Sequence, residues 1–279
     1  MENQAEIMAS RSVQRDFRKP IWRKFISAVR TYDLIQPGDR VAVCVSGGKD
    51  SLLLAVCMRE LAKYSDVPFQ VEYLSMDPGY APENRRKMIE NARKLGFDLN
   101  VFDSPIFEAV NSVNRGFCHV CASMRRGYLY KEARKLGCNK IALGHHMDDA
   151  VETILLSMLY GGEYKTMMPQ LQSKNFPGMA LIRPLYLTRE KDIIAWRDFM
   201  GLDTLRCACR VTQSEEGGKR KQVKELTVLY LVPYQHFGVD FAPYQILLVM
   251  GAVFVLLAIP FLLFYMKQEI FAPMTALVS

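Results

Sequence analysis

The sequence predicts an α/β fold: a doubly wound, mainly parallel sheet of about five strands with helices on both faces, followed by a C-terminal apolar helix. Three observations carry that expectation. Short apolar runs alternate with helical stretches from Val41 to about Gly201. A glycine turn, Ser46-Gly47-Gly48-Lys49-Asp50-Ser51, joins the run Val41-Ala42-Val43-Cys44-Val45 to a helical stretch. No charged residue stands between Asp240 and Lys267. Strands are expected at Arg40 to Val45, Phe69 to Met76, Leu99 to Phe102, Lys140 to Gly144 and Ala180 to Arg183. Helices are expected at Ser51 to Tyr64, Pro82 to Leu95, Met124 to Leu136, Asp148 to Leu159 and Arg189 to Met200. Such alternation implies right-handed crossovers, and ligands then bind outside the carboxyl ends of the strands, where the glycine turn falls.

Composition bounds the rest. Of 279 residues, 50% are apolar and 23% charged, which excludes a disordered chain. A net charge of +7 favours an anionic partner. Residues 1–39 read as a basic helical arm, with Arg11, Arg15, Arg18, Lys19, Arg23, Lys24 and Arg30 interleaved among Phe17, Ile21, Trp22, Phe25 and Ile26. Periodicity alone favours an amphipathic helix packed on the domain with a solvated basic face; an arm that touches phosphates is the functional alternative. Residues 40–226 form the expected catalytic domain and 227–279 a hydrophobic tail with a candidate transmembrane helix at 244–266. Basic residues crowd before that segment, so residues 40–226 are expected in the cytoplasm with the tail as a membrane anchor; a buried core helix is the alternative reading of the segment. Met1 to Arg18 has no apolar core segment, so the seven cysteines are expected reduced, and clustered ones suggest metal or redox chemistry.

Chemistry concentrates at a few places. Glycines at a strand-to-helix turn let phosphate oxygens approach unpaired helix amides, and Lys49 adds a point charge. The spacing does not fit the Walker A pattern. Cys118-His119-Val120-Cys121 opens a basic helix carrying Arg125 and Arg126; such a pair is ambiguous among a redox pair, a zinc half-site and an iron–sulfur half-site. Cys207 and Cys209 are further candidate ligands, whereas Cys44, Cys57 and Cys138 lie in or beside apolar runs as small hydrophobes. In Gly144-His145-His146-Met147-Asp148-Asp149, the aspartates are explicable as helix caps and equally as Mg²⁺ ligands. Asp77 ends a third strand at the same edge.

The turn SGGKDS resembles the PP-loop of the N-type ATP pyrophosphatases. With CxxC followed by Arg-Arg, GHHxDDxxET, Tyr160-Gly161-Gly162 and a late cysteine, the order resembles the tRNA 2-thiocytidine synthetase (TtcA-type) family from about Arg15 to Leu226. Arg183-Pro184-Leu185 and Arg189-Glu190-Lys191-Asp192-Ile193 set a register that makes Cys207 the match to the family's third cluster cysteine. The resemblance implies that Ser46, Gly47, Gly48, Lys49, Asp50 and Ser51 bind ATP, with Asp77, Gly144 and His145 beside them. Asp149 and Asp148 would serve Mg²⁺ or adenylation, and Cys118, Cys121 and Cys207 would hold a 4Fe-4S cluster with one open iron. Asp149, Lys49, Arg125 and Cys207 become the expected catalytic residues. The reaction implied is ATP-dependent adenylation at C2 of cytidine 32 in tRNA, after which sulfur from the cluster displaces AMP. A cysteine desulfurase or sulfide as sulfur donor and a homodimer complete the expected partners. The alternatives are a thiouridine-forming relative, whose amino-terminal CxxC zinc pairs residues 1–40 lack, and a membrane-tethered nucleotide-binding redox sensor without catalysis. Lysidine synthetases share the loop but need neither Cys118 nor Cys121.

Overall fold

The run from Val41 to Cys44 is buried throughout, as an apolar strand must be when strands flank it and helices cover both faces. It forms β1 (Arg40–Cys44) in a computed structural model of the chain, which describes residues 4–104, 106, 117–163, 165–205 and 223, with backbone alone over 117–123. All of these lie within Met1–Leu229, one of the two units into which the chain divides. β1 pairs in parallel with β2 (Gln70–Asp77) on one side and β4 (Lys140–Ala142) on the other. β3 (Asn100–Asp103) continues the sheet beyond β2, and β6 (Ala180–Ile182) continues it beyond β4. The six strands run in the order β3-β2-β1-β4-β6-β5, where β5 (Gln170–Gln172) is antiparallel to β6. This edge strand is absent from the sequence expectation, because three residues with an exposed Leu171 carry no readable alternation.

Two layers of helix cover the sheet. The arm begins with α1 (Gln4–Arg11), passes through two π-wound turns at Ser12–Asp16 and Arg18–Trp22, and ends in α2 (Arg23–Thr31). It packs with α3 (Lys49–Tyr64) and α7 (Glu190–Phe199) over Val41, Val43, Val45 and Ile182. Trp196 is fully buried there, and its indole N–H donates to Ser12 Oγ at 2.9 Å. α4 (Pro82–Lys94) joins the same face through Ala92. The opposite face, Ala42, Cys44, Leu74, Ile141 and Leu181, is covered by Tyr130 and Ala133 of α5 (Phe117–Lys135). α5 starts earlier than the expected Met124, so the CxxC pair occupies its opening turn. α6 (Met147–Gly161) follows β4 and ends at Gly162 in the left-handed conformation.

Cys44, Cys57 and Cys138 are buried and unpaired in disulfides. Burial pushes the Cys44 thiol up to about 12 and that of Cys138 up to about 11, so both remain protonated small hydrophobes. The expected tail, 227–279 with its apolar helix at 244–266, lies outside the described residues. Among the described residues, no helix is long and apolar enough to cross a membrane.

Candidate functional site

Strand order reverses at β1: β2 and β3 lie to one side, β4 and β6 to the other. In a parallel sheet that reversal opens a crevice at the carboxyl ends of the two central strands. Both the glycine turn after β1 and the Gly144-His145 turn after β4 open into it. Gly47 is in the left-handed region at φ 79°, and a Cβ there would stand 2.7 Å from Leu205 Cδ1. The turn therefore requires glycine for its dihedral angle as well as its packing. A Cβ on Gly144 would stand 3.0 Å from the carbonyl carbon and oxygen of Asp50, so the two turns touch through backbone. Ser51 Oγ donates to Gly48 O at 2.9 Å and accepts from Ser46 N–H at 3.1 Å, which closes the loop on itself. No side chain caps the N-terminus of α3. Its first amides are thus open to an external anion, the donor set that a triphosphate requires.

The charged groups around the turn form a chain across three helix N-termini. Lys49 Nζ lies 3.0 Å from Asp50 Oδ1 and 3.2 Å from Glu190 Oε1. Burial works against its charge, but Asp50 and Glu190 together outweigh burial and hold Lys49 above the usual lysine range. The next residue back, Arg189, donates through Nε to both carboxylate oxygens of Asp148 at 3.0 and 3.2 Å, and Glu190 N–H adds a third bond at 2.7 Å. Asp148 therefore caps α7 from the first turn of α6. Asp149 makes a capping box with His146: His146 N–H donates to Asp149 Oδ2 at 3.1 Å, and Asp149 N–H donates to His146 Nδ1 at 3.3 Å. His146 is only 3% exposed and its Nε2 faces Asp50 Oδ1 at 3.7 Å, so it bridges the glycine turn and the aspartate helix.

The remaining expected residues distribute as follows. Asp77 ends β2 beside the crevice, where its carboxylate accepts from Gly79 N–H at 2.9 Å and Tyr80 N–H at 2.7 Å and pairs with Arg85 at 3.1 Å. His145 is half-buried after β4. Arg125 is half-buried on α5, and its Nε has no hydrogen-bond partner among the described residues. The N-terminal half of α5 lies at this edge, since Met124 packs with Met76 of β2 and with Ile106. Cys118 and Cys121 occupy the opening turn of α5, with side chains outside the described set; Cys207 and Cys209 lie outside the described residues altogether. The chain approaches Cys207 from a fixed point, because Leu205 N–H donates to Gly47 O at 2.9 Å. Among the described residues, no group of three His, Cys, Asp or Glu side chains could hold a metal unaided. Mg²⁺ is commonly taken by one or two carboxylates together with substrate phosphates, and the aspartates around this turn suit that mode.

Sequence reasoning missed Glu190, Arg189, His146 and Arg183 as parts of the site. Arg183 is buried just after β6, donates to the Met168 carbonyl, and leaves Nε without a hydrogen bond. Burial pulls its pKa down to about 10, and Arg126 acts in the same direction against Tyr186, Tyr130 and Asp149. Its signal in the sequence was an arginine directly after an apolar strand, at the edge where ligands bind.

Residues 18–205 match the PP-loop domain family. A tRNA-cytidine(32) 2-sulfurtransferase of Geotalea uraniireducens is 38% identical over 204 residues, covering 71% of this chain and 79% of that protein. Its counterpart in Vibrio cholerae is 37% identical over 215 residues, covering 75% of this chain and 67% of that protein. Among solved structures, the U34-tRNA thiolase NcsA from Methanococcus maripaludis, with its [4Fe-4S] cluster, superposes with a TM-score of 0.63 at 18% identity. It covers 80% of this chain and 76% of that one, a likeness of fold. The match over residues 18–205 and the identity to these relatives place the chain in the tRNA-cytidine(32) 2-sulfurtransferase family of PP-loop proteins.

Proposed function

We propose that the chain is an ATP-dependent tRNA sulfurtransferase acting on a cytidine at position 32 of the anticodon loop. ATP is attacked at its α-phosphorus by the C2 carbonyl oxygen, pyrophosphate leaves, and that oxygen departs on AMP when sulfur takes its place at C2. The observation that carries the reading is the bond from Leu205 N–H to Gly47 O. It holds Leu205, two residues before Cys207, at the phosphate turn, and Met124, three residues after Cys121, packs with Met76 near the end of β2, which supports a shared site. The name shared by the relatives supports the substrate.

The chain's own groups suit the first step. A carbonyl oxygen is a poor leaving group until it is adenylated, and negative charge grows on the departing pyrophosphate. The open amides of α3 and the Lys49 ammonium, kept protonated by Asp50 and Glu190, are preset donors for that charge. Asp149 is the proposed Mg²⁺ ligand, because Asp148 is engaged by Arg189 and Glu190. Arg125 and Arg126 follow the cysteines by one turn on α5, and their positive charge would steady an adenylate or an RNA phosphate. Mg²⁺ when bound would offset phosphate charge, and Cys118, Cys121 and Cys207 are the residues that would hold a 4Fe-4S cluster whose open iron would carry the sulfur, taken up directly as sulfide or from a cysteine desulfurase persulfide together with a two-electron reductant. A cytidine in a loop is accessible to such a site because single-stranded bases can be splayed out.

Anaerobic purification, an absorption spectrum and mass analysis of tRNA nucleosides test the reading together. Cys118→Ala is expected to lose the brown chromophore and 2-thiocytidine while retaining ATP binding. Lys49→Ala is expected to keep the chromophore and stop AMP formation. Unchanged thiolation in the first variant, or AMP release at the normal rate in the second, would overturn the corresponding role.

A further inference from the structure

The N-terminal arm repeats at intervals of four residues, a spacing that a plain α-helix does not hold to one face. Ala9, Val13, Phe17, Ile21, Phe25 and Val29 follow one another at that interval, and all belong to or pack against the core. At 3.6 residues per turn each step of four would drift by about 40°, carrying the row around the helix. Two wide turns cancel the drift. Phe17 N–H donates to Ser12 O at 2.7 Å and Trp22 N–H donates to Phe17 O at 3.2 Å, each reaching five residues back. Pro20, which has no N–H, sits inside the second of these turns.

The same winding straightens the opposite side. Arg11, Arg15, Lys19 and Arg23 keep the interval of four and are offset by two residues from the apolar row. All four are exposed, as is Arg18 beside them, and none makes an ion pair among the described residues. Asp16 is the one acidic residue between Arg11 and Arg23. At one helical pitch per step the four cations span about 16 Å in a line. The arm is fastened to the two helices that frame the phosphate turn: Ser10 Oγ donates to Glu60 of α3 at 2.7 Å, and Trp196 of α7 donates to Ser12. Phe17 also meets Phe199 of α7 edge to face, with ring centroids 5.6 Å apart.

We infer that Arg11, Arg15, Lys19 and Arg23 form a straight phosphate-binding row that docks the ribose–phosphate backbone of the tRNA. This rests on the sulfurtransferase reading for the identity of the nucleic acid. A row of unpaired cations complements a polyanion, and such contacts position a nucleic acid without reading its sequence. A lipid surface fits less well. An amphipathic helix binds a bilayer through its apolar side, and here that side is buried against α3 and α7.

The test is binding of an unmodified tRNA transcript by fluorescence anisotropy across a salt series, using the full chain. The variant Arg11→Gln/Arg15→Gln/Lys19→Gln/Arg23→Gln is expected to bind about tenfold more weakly or worse, with a log–log salt slope flatter by about 3. The charge-preserving variant Arg11→Lys/Arg15→Lys/Lys19→Arg/Arg23→Lys is expected to bind as the wild type does, and both should keep ATP affinity, which reports an intact body. An unchanged salt slope in the glutamine variant overturns the inference. So does loss of binding to phosphatidylglycerol vesicles with tRNA binding intact. A wild-type chain that binds tRNA through this row yet never thiolates it would overturn the proposed reaction and leave the row standing.

Discussion

Adjacent carboxylates at the start of α6 meet different partners: Asp148 takes the Arg189 guanidinium and the Glu190 amide, whereas Asp149 closes on His146. That separation makes their substitutions distinguishable. Asp148→Asn weakens bonds between charged groups that join α6 to α7, and it should cost about 1.5–3 kcal/mol in urea unfolding. Asp149→Asn keeps an amide oxygen that can accept from His146 N–H, so it should cost less than about 0.5 kcal/mol and, on the proposed role, lower AMP formation by about a hundredfold or more. Equal stability losses with equal residual activity would refute the division. The sequence could not separate the two, because a cap and a metal ligand require the same residue type at a helix start. The deciding partner, Arg189, lies 41 residues away, reached only through the crossover. Glycines were more legible. The need for glycine at Gly47 follows from the sharp strand-to-helix turn, and its packing against Leu205 adds a reason that no local pattern carries.

The arm shows where element-level reading stops. Basic residues interleaved with apolar ones announce an amphipathic helix packed on the domain, and the described arm buries its apolar side. The π-wound turns were not legible, because no residue in Ser12–Asp16 or Arg18–Trp22 marks a bond reaching five residues back. A buried acid holds that contact. Glu60 of α3 is fully buried, accepts from Ser10 Oγ and Gln14 Nε2 at 2.7 Å each, and accepts from Arg59 Nε at 3.1 Å. Glu60→Gln would leave Arg59 with Glu6, 3.5 Å away, as its remaining carboxylate among the described residues and turn an amide N–H₂ toward existing donors. The expected cost is about 3 kcal/mol, since breaking one side of a buried pair costs more than the pair contributes. Hydrogen exchange should then quicken through residues 4–22 while β1 amides stay protected by comparison. Uniform loss of protection across arm and sheet would show that the arm is not a separable unit.

At the scale of the whole molecule, the parallel sheet was legible because short runs with apolar centres, the fully apolar Val41 to Val45 above all, alternate with helical stretches. The switch point was legible because chemistry-bearing turns followed two of those runs. The short antiparallel β5 was not, since pairing with β6 rather than its own pattern makes it a strand. At the opposite edge of the sheet, the start of β1 is fastened to the start of β4. There Lys140 Nζ lies 2.6 Å from Asp39 Oδ2 and donates to Leu34 O at 2.9 Å, while Asn139 Nδ2 donates to Asp39 Oδ1 at 2.7 Å. This pins β1 to β4 below the crevice. Burial opposes the Asp39 charge, yet Lys140, the Gln36 amide and Asn139 together outweigh it and hold the carboxyl below its ordinary value of 3.8. A carboxylate depressed in the folded state contributes stability that is present above the ordinary value and lost as pH falls through the folded value. Asp39→Asn, which leaves Lys140 buried without its anion, should therefore cost about 3–5 kcal/mol at pH 7. The gap between wild type and variant should narrow only below the ordinary carboxylate value, because protonated Asp39 no longer offers the anion either. Urea unfolding of both proteins between pH 7 and pH 3 measures that gap with other titrating groups cancelling. A gap that stays constant across the acid range would mean that the Asp39 charge does not hold β1 against β4.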